Sequence, residues 1–109
     1  MTASQAGANR RQMLEKFVEK NPLDAFARYG LAMECAKEGD AASAETHFKQ
    51  LLGDHAEYVA AYYQFGRLLA LSNRIAEARE IFSAGIARAA QAGDEHARQE
   101  LQAALDELS

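Results

Sequence analysis

The chain lacks tryptophan and has one cysteine, Cys35, and one proline, Pro22. A single cysteine excludes a disulfide-stapled scaffold. Only five apolar residues are β-branched, Val18, Val59, Ile75, Ile81 and Ile86, which leaves little from which to build a sheet. No apolar run approaches the ~18 residues of a membrane span. No apolar stretch of ~7–15 residues follows Arg10 and Arg11, so no secretory leader is read and the expected location is the cytoplasm. What the chain has in abundance is alanine, 24 of 109 residues, within a hydrophobic content of 49% and a net charge of −4. Alanine is the best helix former, so the composition points to one acidic, all-helical domain.

Residues 1–9 are small and polar without periodicity and read as a flexible tail. From Arg10 onward, Met13, Leu14, Phe17 and Val18 form an apolar stripe on one helical face. Asn21-Pro22 ends that helix, because a residue before proline is pushed out of helical geometry. Asp24 caps a second helix over about 25–38 with Leu31, Ala32 and Cys35 inward, and Gly39-Asp40 closes it. A third helix, about 41–52, turns Ala44, Phe48, Leu51 and Leu52 inward and stops at Gly53-Asp54. The fourth, about 57–72, carries Tyr62, Phe65, Gly66 and Leu69, and Asn73 takes the left-handed turn position. The fifth, about 75–91, carries Ala78, Phe82, Gly85 and Ile86. Gly93-Asp94 opens a last helix, about 95–108, with Ala97, Leu101, Ala104, Leu105 and Leu108 inward. Short turns make successive helices antiparallel neighbours.

A shift of 34 residues superimposes Ala27 on Ala61, Tyr29 on Tyr63, Leu31 on Phe65 and Ala32 on Gly66. It also superimposes Gly39 on Asn73, Ala44 on Ala78, Phe48 on Phe82 and Leu52 on Ile86. The order of side-chain sizes repeats more clearly than the identities do. Leu31-Ala32, Gly39-Asp40, Ala44 and Phe48, and then Phe65-Gly66, Ala78 and Phe82, resemble the tetratricopeptide repeat family, a 34-residue helix–turn–helix unit. Small residues let two helices approach and aromatics fill the space between them. Arg28 stands where the family pattern has tryptophan, Cys35 and Leu69 where it has tyrosine, and Ala56 and Ala90 where it has the closing proline. The resemblance implies a right-handed α-solenoid of antiparallel helix pairs, about two and a half units and six helices. The expected organisation is the tail 1–9 and a single domain 10–109. That domain comprises a half repeat 10–24, repeats 25–58 and 59–92, and a capping helix 94–108.

No chemistry of catalysis stands out. His47, His55, His96 and Cys35 have no i, i+4 ligand spacing, and neither C-x-x-C nor H-E-x-x-H occurs. Cys35 falls on the inward face, where a cysteine is a small inert hydrophobe. Residues 23–109 carry 8 Lys/Arg against 14 Asp/Glu, which does not suit nucleic acid. The expectation is a protein that is not an enzyme and takes no cofactor, metal, nucleic acid or membrane.

The informative feature is a second face on the first helix of each repeat. It reads Phe26, Tyr29, Met33 and Lys37 in one copy and Ala60, Tyr63, Arg67 and Ala70 in the other. In the resembled family this face lines a concave groove for peptides, and aromatics, methionine and arginine are enriched in interface cores. The resemblance therefore implies a protein or peptide partner held by Phe26, Tyr29, Met33 and Tyr63, with Lys37 and Arg67 orienting an acidic group. Two alternatives stand beside it: neighbouring helices fill the groove themselves, or the opening helix pairs with another copy. A monomer is expected, with a weak homodimer through the opening helix as the alternative.

Overall fold

Six helices are joined by short turns in the computed structural model, which describes residues 3–108, with side chains from Asn9 onward. They are α1 (Ala3–Lys20), α2 (Ala25–Lys37), α3 (Ala41–Asp54), α4 (Val59–Leu71), α5 (Ile75–Ala92) and α6 (Glu95–Glu107). No strand occurs among the described residues. The tail expected over residues 1–9 is helical from Ala3, because Ala3, Gln5, Ala6 and Ala8 favour helix enough to carry Gly7. Residues 1 and 2 lie outside the described residues.

Three turns close in one way. Gly39 (φ 82°), Asn73 (φ 60°) and Gly93 (φ 70°) are all left-handed. The next residue's N–H then donates back five residues, Asp40 to Cys35 O, Arg74 to Leu69 O and Asp94 to Ala89 O, each at 2.9 Å. Asp24, Asp40 and Asp94 cap the helices that follow by accepting from the N–H of Ala27, Ser43 and Ala97. The Gly53-Asp54 stop is corrected: Gly53 stays helical and α3 runs on to Asp54, where His55 N–H donates to Leu51 O at 2.7 Å.

The described residues fall into two compact units, the first ending at His55 and the second starting at Ala56. In the first, α2 packs on α3 and α1 packs on α2. Its core is Leu31, Ala32, Cys35, Ala44, Phe48 and Leu51, with Val18 from α1. In the second, α5 packs between α4 and α6. Its core is Ala61, Tyr62, Phe65, Leu69, Ala78, Phe82, Ala89 and Leu101. Residues 34 apart share their fate: Leu31 and Phe65, Ala32 and Gly66, Ala44 and Ala78, Phe48 and Phe82 are all buried.

The opening stripe is only partly inward. Val18 is buried and Leu14 half-buried, but Met13 is 71% and Phe17 48% exposed. Leu14 and Val18 reach α2, whereas Met13 and Phe17 lie on the flank beside that contact. Leu52, Ile86, Leu105 and Leu108, expected inward, are half-buried.

Candidate functional site

The outward face of α4 follows from its inward one. Tyr62, Phe65, Gly66 and Leu69 point into the second unit, so Tyr63, Arg67 and Ala70 emerge on the neighbouring face. Gly66 matters here, because a Cβ at that position would overlap the Phe82 ring. The ring therefore lies directly against the α4 backbone, 6.4 Å from the Tyr63 ring centroid at 48°. A Cβ at Gly85 of α5 would stand 2.6 Å from Cβ of Tyr62. These close approaches set the spacing of α4 and α5, and α6 lies along α5 through Leu101, which is buried.

A cleft of about 190 Å³ opens beside Tyr63. Arg67, Ala70 and Leu71 continue its α4 wall, Phe82 forms its floor, and Ala104, Glu107 and Leu108 supply the α6 wall. Its volume falls short of the ~300–1,000 Å³ of small-molecule pockets and suits one or two side chains of a larger partner. Leu71 is 82% exposed at the rim. The Arg67 guanidinium lies 5.9 Å from the Tyr63 ring centroid, a cation–π contact. Among the described residues neither Arg67 nor Glu107 has an ion-pair partner, and the Tyr63 hydroxyl has no hydrogen-bond partner. Arg79 donates to Leu108 O at 2.7 Å, which fixes the end of the α6 wall.

The expected groove residues divide between the units. In the first unit α2 carries Phe26, Tyr29, Met33 and Lys37 along one face. Phe26 and Lys37 are exposed, Tyr29 and Met33 half-buried, and the Tyr29 ring meets Phe48 edge-on at 6.5 Å. In the second unit Tyr63 and Arg67 line the cleft. Sequence reasoning missed Leu71, Phe82, Ala104, Glu107 and Leu108 as its other walls. Phe82, Ala104 and Leu108 read as inward residues and not as the walls of a cleft, since only tertiary packing brings α6 alongside α4.

The two half-buried histidines have structural partners. His47 is half-buried, and Arg28 Nη1 lies 3.1 Å from its Nδ1. A guanidinium has no acceptor, so Nδ1 accepts and the ring is neutral with its proton on Nε2. Burial, and then the charge of Arg28, push the His47 pKa down. His55 Nε2 donates to Leu23 O at 2.8 Å. Burial raises the Cys35 thiol, which keeps it protonated and unreactive. Among the described residues no three His, Cys, Asp or Glu side chains gather as a metal site, and no helix is long and apolar enough to cross a membrane.

The tetratricopeptide repeat profile matches residues 36–105 of the chain. The chain is 30% identical over 95 residues to the TPR repeat-containing protein PA0015 of Pseudomonas aeruginosa, covering 87% of this chain and 90% of that protein. Among solved structures it resembles the tetratricopeptide repeat domain protein of Salinibacter ruber, with 33% identity and a TM-score of 0.74 over 78% of this chain and 94% of that one. It also resembles protein BPP2914 of Bordetella parapertussis, with 26% identity and a TM-score of 0.78 over 90% of this chain and 85% of that one.

Proposed function

The chain belongs to the tetratricopeptide repeat family, whose domains are in general protein-interaction modules and typically non-catalytic, and from that premise we propose that it is a non-catalytic module that seats a peptide or partner helix at the cleft of its second unit. An apolar side chain of the partner enters between Leu71, Phe82 and Leu108 and lies beside the Tyr63 ring. A carboxylate on the same partner pairs with Arg67, whose guanidinium lies over the Tyr63 ring. The face of α2 bearing Phe26, Tyr29, Met33 and Lys37 offers a second seat of the same character: apolar and aromatic side chains beside one cation.

The observation that carries this reading is Arg67, without an ion-pair partner among the described residues, over a Tyr63 ring at the mouth of an apolar cleft. A surface arginine kept only for solubility has no need of such a setting. Tyr63 is half-buried and its hydroxyl has no partner among the described residues, the arrangement that suits a ring at a wet interface. Proteins captured from cell extract on immobilised wild-type chain should be lost on Tyr63→Ala, with affinity for an identified partner falling by about 2 kcal/mol or more, the scale of an interface hot spot. Arg67→Glu should weaken the same partners and lessen the salt dependence of what remains. Identical capture by wild type, folded Tyr63→Ala and Arg67→Glu would dispose of the cleft as the binding site.

A further inference from the structure

α1 has an apolar flank that the described helices leave open. Met13, Phe17 and, at the start of α2, Phe26 are 71%, 48% and 77% exposed. The geometry of α1 places them on one side of the first unit. Leu14 Cδ2 comes within 3.7 Å of a Cβ built on Gly30 of α2, and Arg11 reaches Glu38 and Asp40 at 3.0 Å near the α2–α3 turn. At 3.6 residues per turn, Met13 stands about 160° from Arg11, on the opposite flank of the contact with α2. Passing round α2 from His47 of α3 at Arg28, through the α1 contact at Gly30 and Glu34, brings Phe26, Met33 and Lys37 to that same flank.

The repeat register indicates the shape of what belongs there. Phe17, Leu51 and Gly85 occupy one place in the 34-residue register. Leu51 is fully buried, and Gly85 packs against Tyr62 of α4, the helix before it. At Phe17 the equivalent covering element would be a helix lying antiparallel to α1.

Charge indicates its chemistry. Lys16 and Lys20 lie beside Met13 and Phe17, Lys37 stands beyond them on α2, and all three are exposed with no ion pair among the described residues. Glu15 and Glu19 turn to the opposite flank. A two-fold contact between copies would set Lys16 and Lys20 against themselves. The outward side of α6 in a second copy offers Gln99, Ala103 and Asp106 and no large apolar side chain. Neither surface of a second copy matches. We propose that this flank docks an acidic amphipathic helix of a partner protein, with its apolar side chains over Met13, Phe17 and Phe26 and its carboxylates on Lys16 and Lys20. The site lies in the first unit and stands or falls independently of the cleft beside Tyr63.

The test uses the whole chain and a labelled synthetic peptide copying residues 94–108, an acidic helix whose Leu101, Leu105 and Leu108 are free to bind when the peptide stands alone. Fluorescence anisotropy should show saturable binding, reduced at least ~10-fold by Phe17→Ser and by Lys16→Glu with Lys20→Glu. A peptide with its acidic residues changed to lysine should bind the doubly acidic variant and not the wild type. Circular dichroism reports folding of each variant. If Phe17→Ser does not fold, the charge exchange between protein and peptide decides the question by itself. The proposal is overturned if the peptide shows no binding up to ~1 mM. It is equally overturned if binding ignores these substitutions, or if sedimentation shows a Phe17-dependent dimer. Phe17-dependent binding to phosphatidylglycerol vesicles with none to the peptide would also overturn it.

Discussion

The helix pair α2–α3 of the first unit and the pair α4–α5 of the second follow one register and fill it with different chemistry. In the second, Gly66 brings α4 against the Phe82 ring and Gly85 brings α5 against Tyr62. In the first, the place of Gly66 is taken by Ala32, and the place of Tyr62 by Arg28. Arg28 nevertheless does what Tyr62 does. Arg28 Nη2 donates to Pro22 O at 3.2 Å, and the Tyr62 hydroxyl donates to Ala56 O at 2.6 Å. Both bonds reach back six residues to the same place in the register, so a cation and a phenol close equivalent turns. The first unit carries polar groups that the second avoids. Arg28 Nε and Glu34 Oε1 are buried with no hydrogen-bond partner among the described residues, while Glu34 Oε2 reaches Arg10 only at 3.6 Å. In the register, Glu34 stands where the second unit has Leu68. The repeat therefore specifies helix spacing and turn closure, and several chemistries satisfy it.

The sharpest way to break this equivalence is to remove its anchors. Phe48→Ala and Phe82→Ala should each cost about 3–5 kcal/mol, a large part of a typical domain's stability. Urea unfolding read by residue-resolved hydrogen exchange should show the loss centred in the unit that carries the change. A loss below ~1 kcal/mol at both sites would contradict the register. Giving the second unit the first unit's residue, Gly66→Ala, should destabilise by about 1–3 kcal/mol through overpacking against Phe82, despite alanine's better helix propensity. The reverse exchange sharpens the contrast: Glu34→Leu should stabilise the first unit by about 1–2 kcal/mol, since it removes a buried, poorly paired carboxylate. An unchanged or lowered urea midpoint would mean that the Arg10 pair holds α1 in place.

Smaller effects separate the two turn closures. Tyr62→Phe removes only the bond to Ala56 O and should cost about 0.5–1.5 kcal/mol. The smallest expected effect is a pH dependence confined to the first unit. The lowered pKa of His47 means that the unfolded chain binds a proton first as pH falls through its ordinary value of 6.5. Stability of the first unit should therefore decline below that pH and hold above it. His47→Gln, which can still accept from Arg28, should flatten the decline. Asp40 acts in a lower window: bonds from Ser43, and then from Arg11, hold its carboxyl below its ordinary 3.8, so its contribution fades only on stronger acidification. Chemical denaturation followed between pH 5 and 8 isolates the histidine.

Much of the fold was legible because the signals for it are local. Asp24, Asp40 and Asp94 cap helices through N–H groups three residues on, and Gly39, Asn73 and Gly93 turn the chain within a single residue. The 34-residue recurrence of Ala44 and Phe48 as Ala78 and Phe82 needs no neighbour to be seen. Gly53 misled for the converse reason: glycine permits a stop without requiring one, and the bond from His55 to Leu51 carried α3 further. Of the cleft, Tyr63 and Arg67 were legible as a helix face that the core stripe left over. Its walls from α5 and α6 were not, because helical periodicity says which side of a helix is apolar and nothing of which helix it meets.

The sequence by itself thus determined the all-helical class, the turns and the inward residues of the repeated pairs, all set by interactions within a few residues or by periodicity. Tertiary structure decided that Leu14 and Val18 are covered while Met13 and Phe17 are not. It also decided that Arg28 takes the part of Tyr62 and that Phe82 is at once core and cleft floor. Those outcomes depend on the distance and angle at which one helix meets another, and the residues that set them lie far apart along the chain.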